Sequence, residues 1–375
     1  MLKEILNLYL LTPIRRWMDR VFPLKIKPRS IFLILFLLLL ALCIYSIPQG
    51  HFKVGFTEAY HNLYKTIMGL VPDWWTQSDR FVAAGEYTRD ERVSRILLQN
   101  YLPRTAGAVL VGASLAAAGS VYQGIFRNPL VSPDLLGASA GAAFGGALGL
   151  FLNGGTITTT TMLYAFVFGM LAVGIVYLVS LSTQGEQNLT LLLGGVMIGS
   201  LFHAGITALK TFAPDDDVLP SITYWLMGAI SPGFKLQQLK YLVIPVAVGL
   251  FILMLMRWKF NLLTVGEEEA RSMGINPTRV KGMAIIGATL VTSASVALCG
   301  TIGWVGLVIP HFVRRLVGPD FRVLLPASML VGGIAVLLLD NLVLIGTRIL
   351  PMGVYTGFIG VPFYLALLMD RRQRS

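Results

Sequence analysis

The segment T-V-G-E-E-E-A-R-S-M-G-I-N-P-T-R-V-K, residues 264–281, is a charged stretch in a chain otherwise dominated by long apolar runs. Thr264, with Glu267 three residues later, fits a capping box, in which two side chains satisfy free amides at a helix start. Three acidic residues complement the positive end of such a helix, and they are Glu267, Glu268 and Glu269. Arg271 lies towards the opposite end, where a cation is favourable. The pattern predicts a short helix that begins near Thr264.

A second helix is predicted directly after the first. Gly274 suits the left-handed position that ends a helix. Asn276 and Pro277 then fit the N-cap and the first turn of the next helix. We interpret this helix–Gly–helix segment as a cytoplasmic docking element for a partner protein; a plain solvated connection is the alternative.

Ten apolar runs predict an all-α, polytopic membrane protein with about ten transmembrane helices, because about 20 apolar residues cross a bilayer. The predicted spans are 31–47, 103–123, 134–153, 160–182, 190–212, 237–257, 279–300, 304–317, 323–345 and 351–369. Hydrophobic residues make up 55% of the 375 residues, charged residues only 13%, and the mean hydropathy is +0.71. A soluble domain has about a quarter charged residues. The composition therefore excludes an ordinary soluble enzyme, a disordered chain and a secreted disulfide scaffold.

The distribution of charge predicts the orientation of the chain and its organisation. The predicted segments are a basic cytoplasmic stretch 1–30, the first transmembrane helix 31–48, an extracytoplasmic or interfacial segment 49–100, and the membrane core 101–375. Lys and Arg gather at cytoplasmic membrane edges, so the basic residues near both ends place both termini in the cytoplasm. The net charge of +11 then reflects orientation and not nucleic-acid binding.

Small residues recur every four positions on two of the predicted spans. Gly137, Gly141, Gly145 and Gly149 share one helix face, and the preceding span carries Ala108, Gly112, Ala116, Ser120 and Gly124 on another. Such faces let helix backbones approach closely in a membrane. We therefore expect both faces to be packing surfaces.

Residues suited to catalysis or to metal binding are scarce. No carboxylate–His cluster has the spacing of metal ligands, nothing resembles a catalytic triad, and Cys43 and Cys299 fall in apolar runs as packing residues. Asp340 with Asn341 is either a buried hydrogen-bonded pair or part of a polar path, and His203 is interpreted as an interhelical donor. The sequence contains no Gly-Lys dipeptide and hence no phosphate-binding P-loop. We expect no catalytic residue, metal or cofactor in this chain, and hydrolysis of any ATP by another subunit.

A series of short motifs occurs in a specific order from about Tyr101 to the C-terminus. They are L-P-R-T (102–105), R-N-P-L (127–130), L-L-G-A-S-A-G-A (135–142), G-E-E-E-A-R-S-M-G (266–274), G-W-V-G-L-V-I-P-H (303–311), R-V-L-L-P (322–326) and L-P-M-G-V (350–354). By these motifs the chain resembles the FecCD-type permeases, the membrane subunits of type II ABC importers for iron–siderophore complexes, haem or cobalamin.

The resemblance implies a type II ABC importer permease fold and a set of partners. Residues 101–375 would be the permease core, paired with a second permease subunit as a homodimer or heterodimer, with the translocation path at the dimer interface. Two ATPase subunits, which bind ATP and Mg²⁺, would dock on the cytoplasmic face, and a substrate-binding protein would deliver cargo outside. The expected location is the cytoplasmic membrane of a prokaryote.

The resemblance also implies roles for individual residues. Residues 264–281 would be the coupling helices seated on the ATPase, with contacts from Thr264, Glu267, Glu268, Glu269, Ala270, Arg271 and Gly274. The cytoplasmic gate would comprise Asn128, Leu130, Gln187, Asn188 and Leu189. Arg104 would dock the binding protein, although the family's companion arginine is Tyr101 here. Arg348 would either add a second docking charge or be an arginine at the membrane boundary.

The expected function is therefore an ATP-driven import permease for an iron chelate, that is, a siderophore complex or haem. A cobalamin permease is the alternative within the same family. A secondary transporter or channel that works alone is disfavoured because few charged residues lie within the spans. A membrane-embedded enzyme is also disfavoured, because the sequence shows no nucleophile–base or metal-binding arrangement.

Overall fold

We analysed a computed structural model of the chain, which describes residues 28–50, 54–67, 89–183, 187–214, 217–230, 234–345 and 350–371. Helices dominate these residues. The helices are α1 (Pro28–Ser46), α2 (Phe56–Ile67), α3 (Arg89–Ile96), α4 (Leu102–Ile125), α5 (Ala138–Leu152), α6 (Thr159–Ser182), α7 (Gln187–Thr211), α8 (Val218–Leu226), α9 (Leu236–Val265), α10 (Glu267–Ser272), α11 (Pro277–Cys299), α12 (Val305–Val317), α13 (Phe321–Ile345) and α14 (Met352–Arg371). A π-helical turn, Leu97–Tyr101, joins α3 to α4, and a 3₁₀ turn, Pro133–Leu136, precedes α5.

The predicted all-α membrane fold is confirmed, and each predicted span corresponds to a helix. Within the described residues, six helical segments are long and apolar enough to cross a membrane, and two shorter apolar helices, Ser30–Ser46 and Ala138–Leu152, accompany them. The sixth span is longer than predicted, because α9 continues from 257 to Val265. Buried Phe260 and Leu263 extend its packed face, and Gly266 is the first residue that interrupts the helix.

Two helices form the centre of the bundle. The helical segment Arg92–Ile125 contains α4, and 83% of its most apolar 18-residue stretch is buried. The same share is buried in the corresponding stretch of α11. A Cβ added to Gly112 would lie 2.1 Å from the carbonyl oxygen of Gly332 in α13, and one on Gly119 would lie 1.7 Å from that of Gly306 in α12. Backbones therefore meet directly at these positions, and the predicted small-residue packing face of α4 is confirmed.

The small-residue face of α5 is also confirmed. Cβ atoms on Gly141 and Gly145 would lie 2.5 and 2.2 Å from backbone oxygens of α6. Sequence analysis missed α8, a nine-residue helix. It is too short to show as a span, and its Trp225 packs closely against Gly146 of α5.

The segment before α4 carries a small helical pair. Arg89 Nε lies 2.7 Å from Glu58 Oε1, and Lys65 Nζ lies 3.1 Å from Asp90 Oδ2, so two ion pairs join α2 to α3. Since α3, the π turn and α4 are consecutive, this pair is a direct extension of the central helix.

Candidate functional site

The charged segment folds as the helix–Gly–helix that its sequence predicts. Helix α10 is terminated by Gly274, two residues after its last helical residue, and the φ of +80° at Gly274 is the left-handed conformation that favours glycine. The amide of Gly274 donates to the carbonyl of Arg271 at 2.9 Å, and that of Ile275 donates to Ala270 at 3.0 Å. This pair of bonds is a Schellman cap. Asn276 then caps α11, its Oδ1 accepting from the amide of Arg279 at 3.1 Å.

The capping box predicted for Thr264 is wrong. Thr264 lies inside α9, and its hydroxyl donates to the carbonyl of Asn261 at 2.6 Å. Gly266 occupies the N-cap of α10 and supplies no capping side chain. The physical reason is that no residue before Gly266 stops α9, so the new helix starts later than the Thr264–Glu267 spacing suggests.

The predicted coupling residues divide into an exposed set and an inward set. The exposed residues are Thr264, Glu268, Glu269, Arg271 and Gly274. Ala270 is fully buried against the helical core, so in this structure it cannot contact an ATPase. Its role is packing, since a short amphipathic helix needs one apolar side chain to hold it to the bundle. Glu267 is partly exposed and forms an ion pair within the chain.

Glu267 pairs with Lys281, which sequence analysis did not single out. The Lys281 side chain is only 4% exposed, and its ammonium donates to both Glu267 Oε1 and Asn188 Oδ1, the latter at 2.8 Å. Asn188, predicted as a gate residue, is thereby joined to the helix–Gly–helix segment. A lysine inside a predicted span was the available signal, because a buried ammonium requires partners.

The gate motif R-N-P-L is fixed to the end of α9. Arg127 adopts φ +49° and donates from Nε to the carbonyl of Leu263 at 3.0 Å. Asn128 Oδ1 accepts from the amide of Leu130 at 2.9 Å, which closes a local turn. The Leu130 side chain is left 46% exposed. At the other predicted gate position, Gln187 and Asn188 are partly exposed and Leu189 is exposed.

A further tether joins the end of α9 to the start of α13. Asn261 Nδ2 donates to Asp320 Oδ1 at 2.6 Å, and the amide of Phe321 donates to Asn261 Oδ1 at 2.8 Å. Partial burial raises the pKa of Asp320, but hydrogen bonds from Arg322 and Asn261 outweigh it, and the net pKa is lowered. The carboxylate therefore stays ionised and keeps this connection at neutral pH.

Arg104 does not lie where a docking residue is expected. Its side chain is 5% exposed, and its guanidinium forms a bidentate ion pair with Asp340 of α13, with Nη2 to Oδ1 at 2.8 Å and Nε to Oδ2 at 3.1 Å. In this structure Arg104 is not available to an outside protein, because a buried carboxylate on a neighbouring helix holds it. Asp340 pairs with Arg104 and not with Asn341, whose amide donates to the carbonyl of Leu337. Arg348 lies outside the described residues.

The exposed face of α7 carries a line of polar side chains. Its most apolar window is 22% buried, and hydroxyl and imidazole side chains follow one line on the exposed face: Ser200, His203, Thr207 and Thr211. The hydroxyls of Ser200 and Thr207 donate to carbonyls one turn back in the same helix, at 2.9 and 3.0 Å. His203 is thus exposed on the chain surface, and is not the interhelical donor that we expected. We call these four residues the α7 polar stripe.

The described residues contain no group of three or more His, Cys, Asp or Glu side chains placed to hold a metal ion. Cys43 and Cys299 are both free thiols in this part of the chain, and Cys299 is buried. Among the described residues, the site consists of helix contacts and of hydrogen bonds and ion pairs that join separate helices.

Comparison with known proteins assigns the family. The model of the FecCD transport family matches residues 37–370. The molybdate import system permease protein MolB of Haemophilus influenzae is 37% identical over 275 residues, 73% of this chain and 81% of that protein. The cobalamin import system permease protein BtuC of Halobacterium salinarum is 37% identical over 330 residues, 88% of this chain and 87% of that protein.

A solved structure has the same architecture. It is described as an inward-facing conformation of a putative metal-chelate type ABC transporter, and it is 31% identical with a TM-score of 0.76. The similarity covers 92% of this chain and 100% of the solved one. Sequence, helix order and three-dimensional fold agree, and the chain belongs to the FecCD transport family.

Proposed function

We propose that this chain is the membrane-spanning permease subunit of an ATP-driven importer, with both termini in the cytoplasm of a prokaryotic cell. The exposed acidic face of the helix–Gly–helix segment carries the proposal. Glu268, Glu269 and Arg271 stand on a short helix that is closed by a Schellman cap and anchored by the buried Ala270. Such a capped and anchored helix with exposed charges is suited to bind a partner protein and to move with it.

The energy source in this proposal is a pair of cytoplasmic ATPase subunits, which bind ATP and Mg²⁺. The chain has no Gly-Lys dipeptide, which a P-loop requires. Glu268 and Glu269 would contact the ATPase directly, while Glu267 acts inside the permease. Cargo would arrive from an extracytoplasmic substrate-binding protein. Arg104 is buried, so the docking surface for that protein would be formed by other residues of the outer face.

The α7 polar stripe supports a second permease subunit. Apart from Tyr164, the exposed side chains of α6 between its first and last turns are apolar, as suits lipid: Leu163, Val167, Leu171, Ile175, Leu178, Val179 and Leu181. The stripe on α7 is polar, and polar side chains in a membrane face protein or a water-filled cavity. We therefore propose that α7 faces the partner permease and the translocation path between them, in a homodimer or heterodimer.

The cargo proposed is an iron chelate, a siderophore complex or haem. From Gln187 to Leu209, α7 carries no Asp, Glu, Lys or Arg. An uncharged surface suits a bulky chelate, in which organic ligands already surround the metal, better than a bare oxyanion, which calls for cations. The alternative is cobalamin, also a bulky metal complex, favoured by the extent of similarity to the cobalamin permease.

One purification tests the proposal. The chain is isolated from its native membrane in mild detergent with its associated proteins, and mass spectrometry identifies those proteins and any bound small molecule. We expect an ABC ATPase and a binding protein that carries an iron chelate. Cobalamin in the binding protein would select the alternative cargo. Purification of the chain as a stable, transport-competent unit without an ATPase would contradict the proposal.

A further inference from the structure

Lys281 connects three separate helices at the cytoplasmic end of the bundle. It lies in α11, and its ammonium reaches Glu267 at the first position of α10 and Asn188 at the second position of α7. The distance from Lys281 Nζ to Asn188 Oδ1 is 2.8 Å. Coupling helix and gate helix thus share one hydrogen-bond donor.

The arrangement is stiff because the donor is buried. The Lys281 side chain is 4% exposed, whereas Glu267 is 41% exposed. A buried ammonium that loses a partner has no water to replace it, so both contacts are favoured together. Displacement of Glu267 therefore pulls on Lys281, and through it on Asn188.

Other hydrogen bonds at this end of the bundle involve α9. Arg127 ties the R-N-P-L turn to the carbonyl of Leu263, and Asn261 ties α9 to the start of α13. These bonds connect α9 to the R-N-P-L turn and to the start of α13. The Lys281 contacts lead in another direction, to α7, the helix with the exposed polar stripe.

We propose that Lys281 is a positioning residue that transmits displacement of the coupling helix to α7 through its simultaneous bonds to Glu267 and Asn188. Glu267 is then the inner end of the coupling helix and not an ATPase contact. This inference rests on the proposed function. It adds a specific route from the ATPase face to the helix that faces the partner permease.

The sharpest variant is Asn188→Leu, because it removes the α7 contact and leaves the Lys281–Glu267 pair intact. Asn188→Asp keeps an acceptor at the same place. Lys281→Met removes both bonds, and Lys281→Arg keeps a cation with several donors. Lys240→Met is the matched control, since Lys240 is an exposed lysine on α9, far along the chain from these contacts.

The measurement is cargo uptake per ATP hydrolysed by the complete importer in proteoliposomes. We expect this ratio to fall by about tenfold in Asn188→Leu and Lys281→Met, within the range of coupling between protein sites. Asn188→Asp, Lys281→Arg and Lys240→Met should stay within about twofold of the parent. An unchanged ratio in Asn188→Leu, or equal losses in Asn188→Leu and Asn188→Asp, would overturn the proposal. If Lys281→Met fails to assemble, the Asn188 variants decide.

A distance measurement separates this inference from the proposed function. Spin labels at Leu189→Cys and Ser272→Cys report the separation of α7 and α10 in the full chain, with Cys43→Ala and Cys299→Ala as background. We expect one narrow distance distribution, broadened by Asn188→Leu and not by Asn188→Asp. Identical distributions in all three would refute the tether. Uptake by the parent importer that does not need ATP would instead refute the proposed function.

Discussion

Helices α4 and α7 are both long apolar spans, yet they occupy opposite environments. The most apolar window of α4 is 83% buried, whereas that of α7 is 22% buried. Helix α4 meets its neighbours backbone to backbone at Gly112 and Gly119 and locks its one buried charge in an ion pair. Helix α7 leaves a line of hydroxyl and imidazole groups exposed. The difference teaches that α4 lies in the tightly packed centre of the bundle, and it supports the proposal that α7 faces a partner permease.

The strongest test of this close packing is a substitution at Gly119. A Cβ at Gly119 would lie 1.7 Å from the carbonyl oxygen of Gly306, and backbone on both sides leaves no side chain to move. Overpacking typically costs about 1–3 kcal/mol, and a clash between backbones exceeds that range. We expect Gly119→Val to abolish recovery of folded protein, measured by size-exclusion chromatography in detergent. Gly174→Ala in α6, where a Cβ meets nothing within 4 Å, should behave as the parent.

The second test removes the buried charge of α4. Arg104→Met leaves Asp340 without its cation, and breaking a buried pair costs about 3–5 kcal/mol. We expect a large drop in the thermal unfolding temperature of the purified chain. The double variant Arg104→Met with Asp340→Leu should recover most of it, because apolar residues replace a buried pair at little cost. A single variant as stable as the parent would show that the pair does not hold α4.

The third test concerns the α7 polar stripe. Ser200→Leu, His203→Leu and Thr207→Val together should leave the stability of the isolated chain within about 0.5 kcal/mol, as expected for exposed positions. Uptake by the assembled importer should fall by about tenfold, equivalent to about 1.4 kcal/mol. Leu171→Ala, Ile175→Ala and Leu178→Ala on the exposed face of α6 provide the control. Equal uptake in both triple variants would remove the distinction between α6 and α7.

The smallest effect is expected at the outer extension of α4. The hydrogen bond from Arg89 lowers the pKa of Glu58, so the paired carboxylate stabilises the α2–α3 contact above its unfolded pKa of about 4.3. That contribution is lost as the pH falls through the lowered value. Hydrogen exchange of Phe56–Ile67 amides should be slower in the parent than in Glu58→Gln at neutral pH, and equal at strongly acidic pH. A difference that persists in acid would exclude Glu58 as the cause.

The sequence predicts the helices well where the signal is local and continuous. Long apolar runs predict the order of the spans. Gly274 indicates the end of α10 because glycine favours the left-handed conformation, and Asn276 indicates the start of α11 because its side chain can accept from an amide of the first turn. The capping box predicted at Thr264 is wrong because that pattern covers only four residues, whereas the packed helix α9 continues to Val265 and ends at Gly266. Helix α8 has too few residues to show periodicity.

The site residues were harder to predict because their partners are distant in the chain. Arg104 and Asp340 are separated by 236 residues, and Lys281 and Asn188 by 93. No local sequence pattern indicates such a pair. Arg104 was therefore predicted to lie on the outer face, and no role was predicted for Lys281. Exposed residues are equally hard to predict. Both α6 and α7 are apolar runs in the sequence, and only the fold shows which residues of α7 face outward.

The most direct test of the account is uptake by proteoliposomes with ATP supplied on the side of the coupling helix. Vesicles contain either the complete importer or this chain alone, and the cargo is the chelate recovered with the binding protein. We predict uptake by the complete importer that requires ATP and persists when ionophores collapse ion gradients, with none by the chain alone. Uptake by the chain alone, driven by an ion gradient, would contradict the account.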